Sequence, residues 1–396
     1  MDYRKTIIDF TEQQYPLYKD ISLAIHAKPE VSNYEFFASR SLSEQLRAEG
    51  FAVKVDVAGH RTGFTASYKS QKSGPVLVFL AEYDALPVLG HGCGHNLFGV
   101  TSSLAAAALK QVIDSTGGEV RVYGTPGEEG GENGSAKGSF VREGYFKDVD
   151  AALCEHPGHR SCNMLSQPTI GCAPLDVEFF GKSAHAASAP WEGVNALDAM
   201  IGVFNAMNQL RQQVRPDVRM HGVILDGGSA PNIIPDHTFG KFYMRAASMP
   251  DLYALIEKFK NIVSAAALAT GCRSRCEPYQ NIVENLVVTP LFDEVFRKEL
   301  ESFGESVNLK DPSSIGSSDV GNVSQVVPTI QPYIGITDND VPNHSELMKA
   351  AACSEQGLAT IKLGAKVLAL TALDLILDPQ LLRAIKEEHA QKIKEQ

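Results

Sequence analysis

The sequence is poor in the residues that mark nucleic-acid-binding and disulfide-rich proteins. Its 36 Lys and Arg side chains are outnumbered by 47 Asp and Glu, which gives a formal net charge of −11. Because nucleic acids and anionic membranes are bound mainly through clustered Lys and Arg, this balance argues against both as partners. Cysteine occurs only seven times in 396 residues. An odd, scattered set of that kind predicts thiols in a reducing compartment rather than a disulfide framework.

Long uncharged apolar runs are also missing from the sequence. Residues 1–16 interrupt their apolar side chains with Asp, Arg, Lys and Glu, and so have no signal-peptide core. The most apolar late stretch, residues 358–377, contains Lys362, Lys366 and Asp374, which is too much charge for a membrane span. Neither a repeat nor a low-complexity linker is visible. We therefore expect a soluble, cytoplasmic protein.

The composition that remains is that of an ordinary globular protein, with 44% hydrophobic and 21% charged residues. Its length suits two or three domains. The apolar run at residues 76–81 is typical of a strand covered on both faces, and residues 102–113 are typical of a buried helix. Strands alternate with helices in this way up to about residue 172. The pattern predicts an α/β domain with a mixed, largely parallel sheet and helices on both faces, formed by residues 1–172 and 282–396.

The order of elements changes at residue 173. Between residues 175 and 279 the pattern predicts strand, helix, two strands, helix and strand, which is the βαββαβ order of a ferredoxin-like domain. We therefore predict that residues 173–281 are a second domain inserted into the first. Two further expectations concern the larger domain: a glycine-rich loop over residues 85–99 and one long apolar helix over residues 351–377.

Residues that can bind metals follow a predicted buried strand. Glu82 and Asp84 come directly after residues 76–81, and the segment GHGCGHN then supplies Cys93 and His95. A thiolate and an imidazole two residues apart, with glycines on both sides, can point toward one cation. Taken alone, this pattern is equally compatible with a flexible glycine loop. Three further clusters of the same kind decide between the two interpretations.

These clusters also follow predicted strands or precede a helix. Glu128 and Glu129 are adjacent, so that one carboxylate can bind a cation while the other takes a proton from water, although an isolated pair is more often a solvated acidic turn. His156 and His344 complete the set. Five donors exceed the three that one catalytic zinc takes and suit two cations. The sequence therefore predicts metal-assisted hydrolysis of an amide or ester, with these ligands: Cys93, His95, Glu129, His156 and His344.

The ordered motifs resemble those of the M20 metallopeptidases. The series reads AEYDALP, GHGCGHN, GTPGEEGG, EHPG, GKSAHAA, GGSAPNIIPD, GSSDVGNVS and PNHSE, and the likeness runs from HAKPEVSNYEF at His26 to the end of the chain. It is greatest to the M20D amidohydrolases, in the branch of the p-aminobenzoyl-glutamate hydrolases and dipeptidases. The resemblance implies hydrolysis of an N-acyl amino acid, an aminobenzoyl-glutamate-like compound or a dipeptide.

The resemblance also implies roles for individual residues. Glu128 matches the general base, and Asp84 matches an acid that orients a ligand from behind. Cys93 would bridge two divalent cations, zinc or manganese, where many relatives use Asp. Two departures leave the charge around these ligands open, because Asn96 and Glu82 stand where relatives have other residues. The remaining ligands implied are His95, Glu129, His156 and His344.

The inserted domain would act as a lid and as a dimerisation domain. His185 matches a histidine that stabilises the oxyanion, often in the active site of the neighbouring subunit. Asn232 and Arg245 match residues that bind the substrate, with Arg245 gripping a carboxylate. The resemblance thus implies a homodimer that acts on a small amide or a short peptide.

Two other functional interpretations stay open at this point. The first is a non-catalytic, metal-dependent binding or scaffold protein with the same fold, although the retained Glu128 and His185 argue against it. The second makes Cys93 the nucleophile of a cysteine hydrolase with a nearby histidine. Inhibition by a chelator rather than by a thiol reagent would separate the metal mechanism from the thiol mechanism.

Overall fold

The computed structural model describes residues 2–309 and 316–396. The chain divides into two compact units, of which the second is Thr169–Asn285 and the first comprises the residues up to Pro168 and those from Leu286 to Glu395. The second unit contains the predicted insertion and is slightly larger than it. Its two ends are joined by a pair of backbone hydrogen bonds between Cys172 and Val283, which explains why its limits lie outside residues 173–281.

Strands and helices alternate along most of the chain, in both units. The strands along the chain are β1 (Ala52–Val57), β2 (His60–Lys69), β3 (Val76–Ala81), β4 (Glu119–Gly124), β5 (Ala151–Leu153), β6 (His156–Gly158), β7 (Gly171–Phe180), β8 (Arg219–Asp226), β9 (His237–Ala246), β10 (Arg273–Pro278), β11 (Thr329–Ile330) and β12 (Tyr333–Gly335). The helices are α1 (Tyr3–Ala27), α2 (Phe36–Ala48), α3 (His95–Thr116), α4 (Ala136–Arg142), α5 (Ala196–Leu210), α6 (Met249–Thr270), α7 (Pro290–Ser302), α8 (Val320–Ser324), α9 (Glu346–Ala351), α10 (Glu355–Leu377) and α11 (Pro379–Lys394).

The main sheet of the first unit has the strand order β1-β2-β4-β3-β5-β11. Strands β4, β3, β5 and β11 run parallel to one another. Strand β2 is antiparallel to β4, and β1 is antiparallel to β2. Alternate side chains of β3 enter different cores: Leu77 and Phe79 pack with α1, α3 and α10, whereas Val78 and Leu80 pack with α4 and α8. The predicted mixed, largely parallel sheet with helices on both faces is confirmed.

The helix that carries the metal-binding motif begins earlier than predicted. The pattern places residues 95–99 in the glycine-rich loop of residues 85–99, but α3 already begins at His95. Its N-cap residue is Gly94, whose φ of 83° lies in the left-handed region that favours glycine. Glycines on both sides of this point lower the helix propensity, so the sequence pattern does not predict the start of α3.

The predicted helix over residues 351–377 is confirmed as α10 from Glu355 to Leu377, but its first residue, Ala351, ends a separate short helix. Helix α9 ends at Ala351 and α10 begins at Glu355, because the Ser354 hydroxyl accepts a hydrogen bond from the Gly357 amide and caps the new helix. Helix α11 is not among the predicted elements; Asp378 caps it through the amides of Gln380 and Leu381. None of the described helices is both long enough and apolar enough to cross a membrane.

The second unit has the predicted ferredoxin-like order β7-α5-β8-β9-α6-β10. Its sheet is antiparallel throughout, with the strand order β10-β7-β9-β8. Strand β9 alternates in burial, so that Phe242 and Met244 pack against the core formed with α5 and α6, while Tyr243 and Arg245 are only half-buried. This alternation leaves one face of the sheet uncovered by the unit's own helices.

Candidate metal centre

The five predicted ligands lie in loops or at element ends beside the carboxyl edge of the main sheet, and the fold brings them together. In one group the donor atoms of Cys93, His95 and His156 all lie within 4.8 Å of one another. In a second group the donor atoms of Cys93, Glu129 and His344 satisfy the same limit. Because Cys93 belongs to both groups, the arrangement offers two neighbouring cation sites that share one thiol.

Two of the histidines are held in the tautomer that a metal ligand needs. His95 Nδ1 lies 3.0 Å from Asp84 Oδ1, and His156 Nδ1 lies 2.9 Å from the carbonyl oxygen of Pro157. Since each Nδ1 donates its proton to an oxygen, the lone pair of the neutral imidazole lies on Nε2. His156 Nε2 lies 3.5 Å from Cys93 Sγ. His156 therefore turns this nitrogen toward the thiol.

Two ligand atoms in this cluster lack a hydrogen bond within the described residues. They are His95 Nε2 and Glu129 Oε1, and both atoms are buried. A buried polar atom without a partner costs about 1–3 kcal/mol, so such atoms mark a position where something else binds. Thiolate, imidazole and carboxylate are ligands of zinc, and the last two also suit manganese. The residues present therefore fit divalent cations.

Burial sets the protonation of the groups in the centre. Burial, and then the nearby His95, lowers the pKa of His156 to about 3, so that its imidazole is neutral as a ligand must be. Burial raises the pKa of the Cys93 thiol well above its usual range. Burial, and then the carboxylates of Glu82 and Glu129, raises the pKa of Glu128 well above that of an exposed glutamate. Positive charge in this cluster would stabilise all the anionic forms.

Glu128 belongs to neither group that contains Cys93, but forms a third group of possible cation ligands with Glu82 and His95. Its Oε2 is 3.9 Å from His95 Nε2, and its side chain is 10% exposed. The next residue is tied back to the centre, because the Glu129 amide donates a hydrogen bond of 2.9 Å to Asp84 Oδ2. Asp84 thus contacts both His95 and the backbone of the Glu128 loop. Its predicted role as an orienting acid requires such a position.

A buried charge cluster next to His95 was not predicted from the sequence. The Lys137 ammonium lies 2.6 Å from Glu82 Oε1 and 2.6 Å from Asp319 Oδ1, and all three side chains are fully buried. Glu82 Oε2 in turn lies 3.4 Å from His95 Nε2. Burial alone would lower the pKa of Lys137, but the Asp319 and Glu82 carboxylates outweigh it and raise that pKa. Lys137 therefore stays charged and compensates two carboxylates.

The three remaining predicted site residues lie in the second unit. His185 is exposed, and its Nδ1 accepts hydrogen bonds of 3.2 Å from the amides of Ala187 and Ser188. The neighbouring Ala186 amide donates to the carbonyl oxygen of Asn232, which brings these two motifs together. The Arg245 guanidinium lies over the ring of Tyr243, 5.2 Å from its centroid. The catalytic and binding roles of these residues stay predictions.

Asn96 donates both protons of its side-chain amide to neighbouring segments. Its Nδ2 donates to Ser22 Oγ at 3.0 Å and to the carbonyl oxygen of Ala352 at 2.9 Å. The Ser22 hydroxyl returns a hydrogen bond of 2.9 Å to the carbonyl oxygen of Asn96. These contacts tie the start of α3 to α1 and to the segment before α10. An aspartate has no proton to donate at neutral pH and could not replace this amide.

We expect Asn96→Asp to lower the free energy of unfolding by about 1–3 kcal/mol at pH 7, since a carboxylate oxygen would face the Ala352 carbonyl oxygen without a donor between them. The loss should shrink at acid pH, where the protonated acid can donate one hydrogen bond. Urea unfolding at pH 7 and pH 5 measures both effects. Equal unfolding midpoints for the variant and the wild type would show that the amide protons do not matter.

The fold and the site together define a class of two-unit α/β proteins with two neighbouring groups of candidate cation ligands that share one thiol. Residues 171–271 match the family model described as peptidase dimerisation domain. The Xaa-Arg dipeptidase of Mus musculus is 38% identical over 95% of this chain and 89% of its own length. One of the p-aminobenzoyl-glutamate hydrolase polypeptides of Escherichia coli is 30% identical over 97% of this chain and 94% of its own length.

Solved structures show the same fold at lower identity. An aminobenzoyl-glutamate utilization protein from Klebsiella pneumoniae superposes with a TM-score of 0.71 at 18% identity, covering 91% of this chain and 97% of its own. A dinuclear metal binding peptidase of the M20 family from Bacillus subtilis has a TM-score of 0.60 at 18% identity, covering 90% and 99% of the two chains.

The chain belongs to the M20 family of metallopeptidases. The resemblance found in its motifs is confirmed, including the likeness to the aminobenzoyl-glutamate hydrolases and dipeptidases. The protein is an enzyme, a hydrolase of amide or peptide bonds.

Proposed function

We propose that the enzyme hydrolyses the amide bond of a dipeptide or of a similarly small acyl-amino acid, with Glu128 as general base. The observation that carries this proposal is the pair of ligand groups that share Cys93, with the Glu128 carboxylate 3.9 Å from His95 Nε2. Dipeptides come first among the substrates because a relative of 38% identity is a dipeptidase named for Xaa-Arg substrates. Aminobenzoyl-glutamate and N-acyl amino acids follow.

Two divalent cations, zinc or manganese, would be held by side chains of this chain. Cys93 would contact both; His95 and His156 would complete one site, and Glu129 and His344 the other. Divalent cations at such sites make water more acidic and polarise a carbonyl. Asp84 keeps the His95 proton on Nδ1 and so keeps Nε2 available. The exposed His344 Nε2 lies 3.5 Å from Glu129 Oε2.

Glu128 would take the proton from the attacking water and pass it to the leaving amine nitrogen. The Glu128 carboxylate suits this task because it is nearly buried and belongs to neither group that contains Cys93. His185 would stabilise the oxyanion, while Asn232 and Arg245 would bind the substrate, Arg245 through a carboxylate, as the family resemblance implies. A cysteine mechanism is disfavoured, because burial raises the pKa of Cys93 whereas a nucleophilic thiol needs a lowered one.

The proposal extends to assembly and location. We propose a homodimer formed through the second unit, which matches a peptidase dimerisation domain. Strand β8 supports this, because it is an edge strand whose Val223 and Leu225 side chains are more than half exposed. A fully active monomer in gel filtration would contradict the dimer.

We also propose that the protein is located in the cytoplasm, since all seven cysteines are free thiols, as is usual in a reducing compartment.

A substrate panel on protein of known cation content tests the proposed reaction. The panel contains Xaa-Arg and Xaa-Lys dipeptides, neutral dipeptides, aminobenzoyl-glutamate and N-acetyl amino acids, each with protein loaded with zinc or with manganese. We expect release of the free amino acid from at least one dipeptide class, and loss of the activity on chelation. A protein that holds two cations yet cleaves none of these compounds would contradict the proposal in favour of a binding or scaffold role.

Removal of the shared thiol should affect both cations at once. We expect Cys93→Ala to bind less than one cation per chain under conditions where the wild type binds two, because each group then loses a ligand. Elemental analysis after dialysis measures the stoichiometry. Cys276→Ala is the matched control, since this thiol lies on β10 in the second unit. Full cation content in Cys93→Ala would rule out the shared ligand.

A further inference from the structure

The loop that carries Glu128 is held by a second segment of the chain. The catalytic loop, residues 125–135, joins β4 to α4, and it contacts the turn of residues 32–35 between α1 and α2. Glu35 is fully buried, and its Oε1 accepts a hydrogen bond of 3.0 Å from the Gly127 amide. This amide belongs to the residue directly before Glu128. The contact therefore acts on the backbone from which the Glu128 side chain projects.

Glu35 is itself held in one orientation. Its Oε2 accepts a hydrogen bond of 2.8 Å from the Thr62 hydroxyl on β2, and the Tyr83 hydroxyl donates to the Thr62 carbonyl oxygen at 2.6 Å. Both carboxylate oxygens thus have a donor from a different element. A buried side chain that uses both oxygens in this way cannot rotate without losing a hydrogen bond, so Glu35 presents Oε1 to Gly127 in a defined place.

Asn33 holds the far end of the catalytic loop. Its Nδ2 donates to the carbonyl oxygens of Glu132 at 3.0 Å and Asn133 at 2.9 Å, while its Oδ1 lies 2.7 Å from His60 Nδ1. Asn33 has a φ of 61°, a conformation that asparagine tolerates better than most residues. The turn of residues 32–35 thus contacts the loop before Glu128 and again after it.

The two segments approach each other closely at Gly127. A Cβ added to this glycine would lie 2.5 Å from Ser32 Oγ, and its φ of 70° is in the left-handed region. The loop can therefore approach residues 32–35 closely only because it has glycine at this position. Asp84 binds the amide of the residue after Glu128, and Glu35 binds the amide of the residue before it. The backbone is therefore held on both sides of Glu128.

We propose that Glu35 is a positioning residue of the hydrolytic reaction, which holds Glu128 in place through the Gly127 amide. This inference rests on the proposed function of Glu128. Glu35 does not touch the candidate ligands or the reacting atoms, so its removal should change the placement of the base and leave the cations bound. Misplacement of a catalytic group by about 1 Å can cost about 100-fold in rate.

The test compares three replacements in the complete, cation-loaded enzyme. We expect Glu35→Ala to lower kcat by about 10- to 100-fold with little change in KM and in cation content. Glu35→Gln should restore most of kcat, because its amide oxygen can accept from Gly127 and its amide nitrogen can donate to the Thr62 oxygen.

Glu30→Ala is the matched control from the preceding residues. The Glu30 carboxylate accepts hydrogen bonds from the amides of Phe37 and Ala38 at the start of α2, and makes none to the catalytic loop. We expect Glu30→Ala to lower the unfolding temperature and to keep kcat. Unchanged kcat in Glu35→Ala, or an equal loss of kcat in Glu30→Ala, would overturn the positioning role.

Hydrogen exchange separates this inference from the proposed function. We expect faster exchange at the Gly127 amide in Glu35→Ala than in the wild type and in Glu35→Gln, whether or not a substrate has been found. If Glu35→Ala does not fold, Asn33→Gly takes its place, since glycine keeps the backbone conformation and removes only the side chain. Faster exchange over residues 132–135 with a lower kcat would support the inference, and unchanged exchange and kcat would overturn it.

Discussion

Glu128→Gln is expected to lower kcat by about 10²- to 10⁴-fold while both cations stay bound. Glutamine has nearly the same volume but cannot accept a proton from water, and general base catalysis contributes about this factor. Most cation binding should survive, because Cys93, His95, His156, Glu129 and His344 form two groups without Glu128, which joins only a third group with Glu82 and His95. If cation binding changes, it should weaken, since the neutral amide removes a negative charge close to the cation ligands. Steady-state kinetics and elemental analysis measure the two quantities.

The matched control for this variant is Glu132→Gln in the same loop. Glu132 is exposed, whereas the Glu128 side chain is 10% exposed and faces His95. We expect Glu132→Gln to keep kcat within about twofold, as a surface substitution away from the chemistry should. If Glu128→Gln retained the wild-type kcat, another group would have to accept the proton, and the proposed mechanism would be wrong.

The fold could be predicted where the sequence pattern has one physical cause. The unbroken apolar run of β3 is a strand because both of its faces enter cores, and the alternation of β9 follows from one buried face. Helix boundaries were harder to predict, because a single residue decides each of them. Ser354 caps α10 within a run that the pattern predicts to be one helix, and Gly94 precedes α3 inside a glycine-rich segment.

The candidate ligands could be predicted because few residue types bind cations and parallel strands end at one edge of a sheet. Cys93, His95 and Glu129 each stand near such an end. The buried charges behind them left no such signal. Lys137 lies on a short helix, where a lysine is normally solvated, and only the tertiary fold brings it to Glu82 and Asp319. The proposed positioning role of Glu35 could not be predicted from the sequence for the same reason.

Lys137→Met is expected to lower the free energy of unfolding by about 3–5 kcal/mol. The ammonium lies 2.6 Å from a carboxylate oxygen of Glu82 and 2.6 Å from one of Asp319, and none of the three side chains is exposed. Methionine fills a similar volume but leaves two buried carboxylates without a cation, and breaking a buried ion pair in this way costs about that amount. Urea unfolding of the cation-loaded protein measures the loss.

A surface lysine provides the comparison. Lys392 pairs with Glu395 near the end of α11, with 41% of its side chain and 50% of its partner's exposed, so Lys392→Met should cost about 0–1 kcal/mol. An equal cost for the two lysine variants would contradict the buried cluster. The cause is isolated by adding Glu82→Gln and Asp319→Asn to Lys137→Met, because replacing all three charges together removes the uncompensated carboxylates. The triple variant should then be more stable than Lys137→Met alone, which would show that the lysine is needed to offset the two acids rather than to fill space.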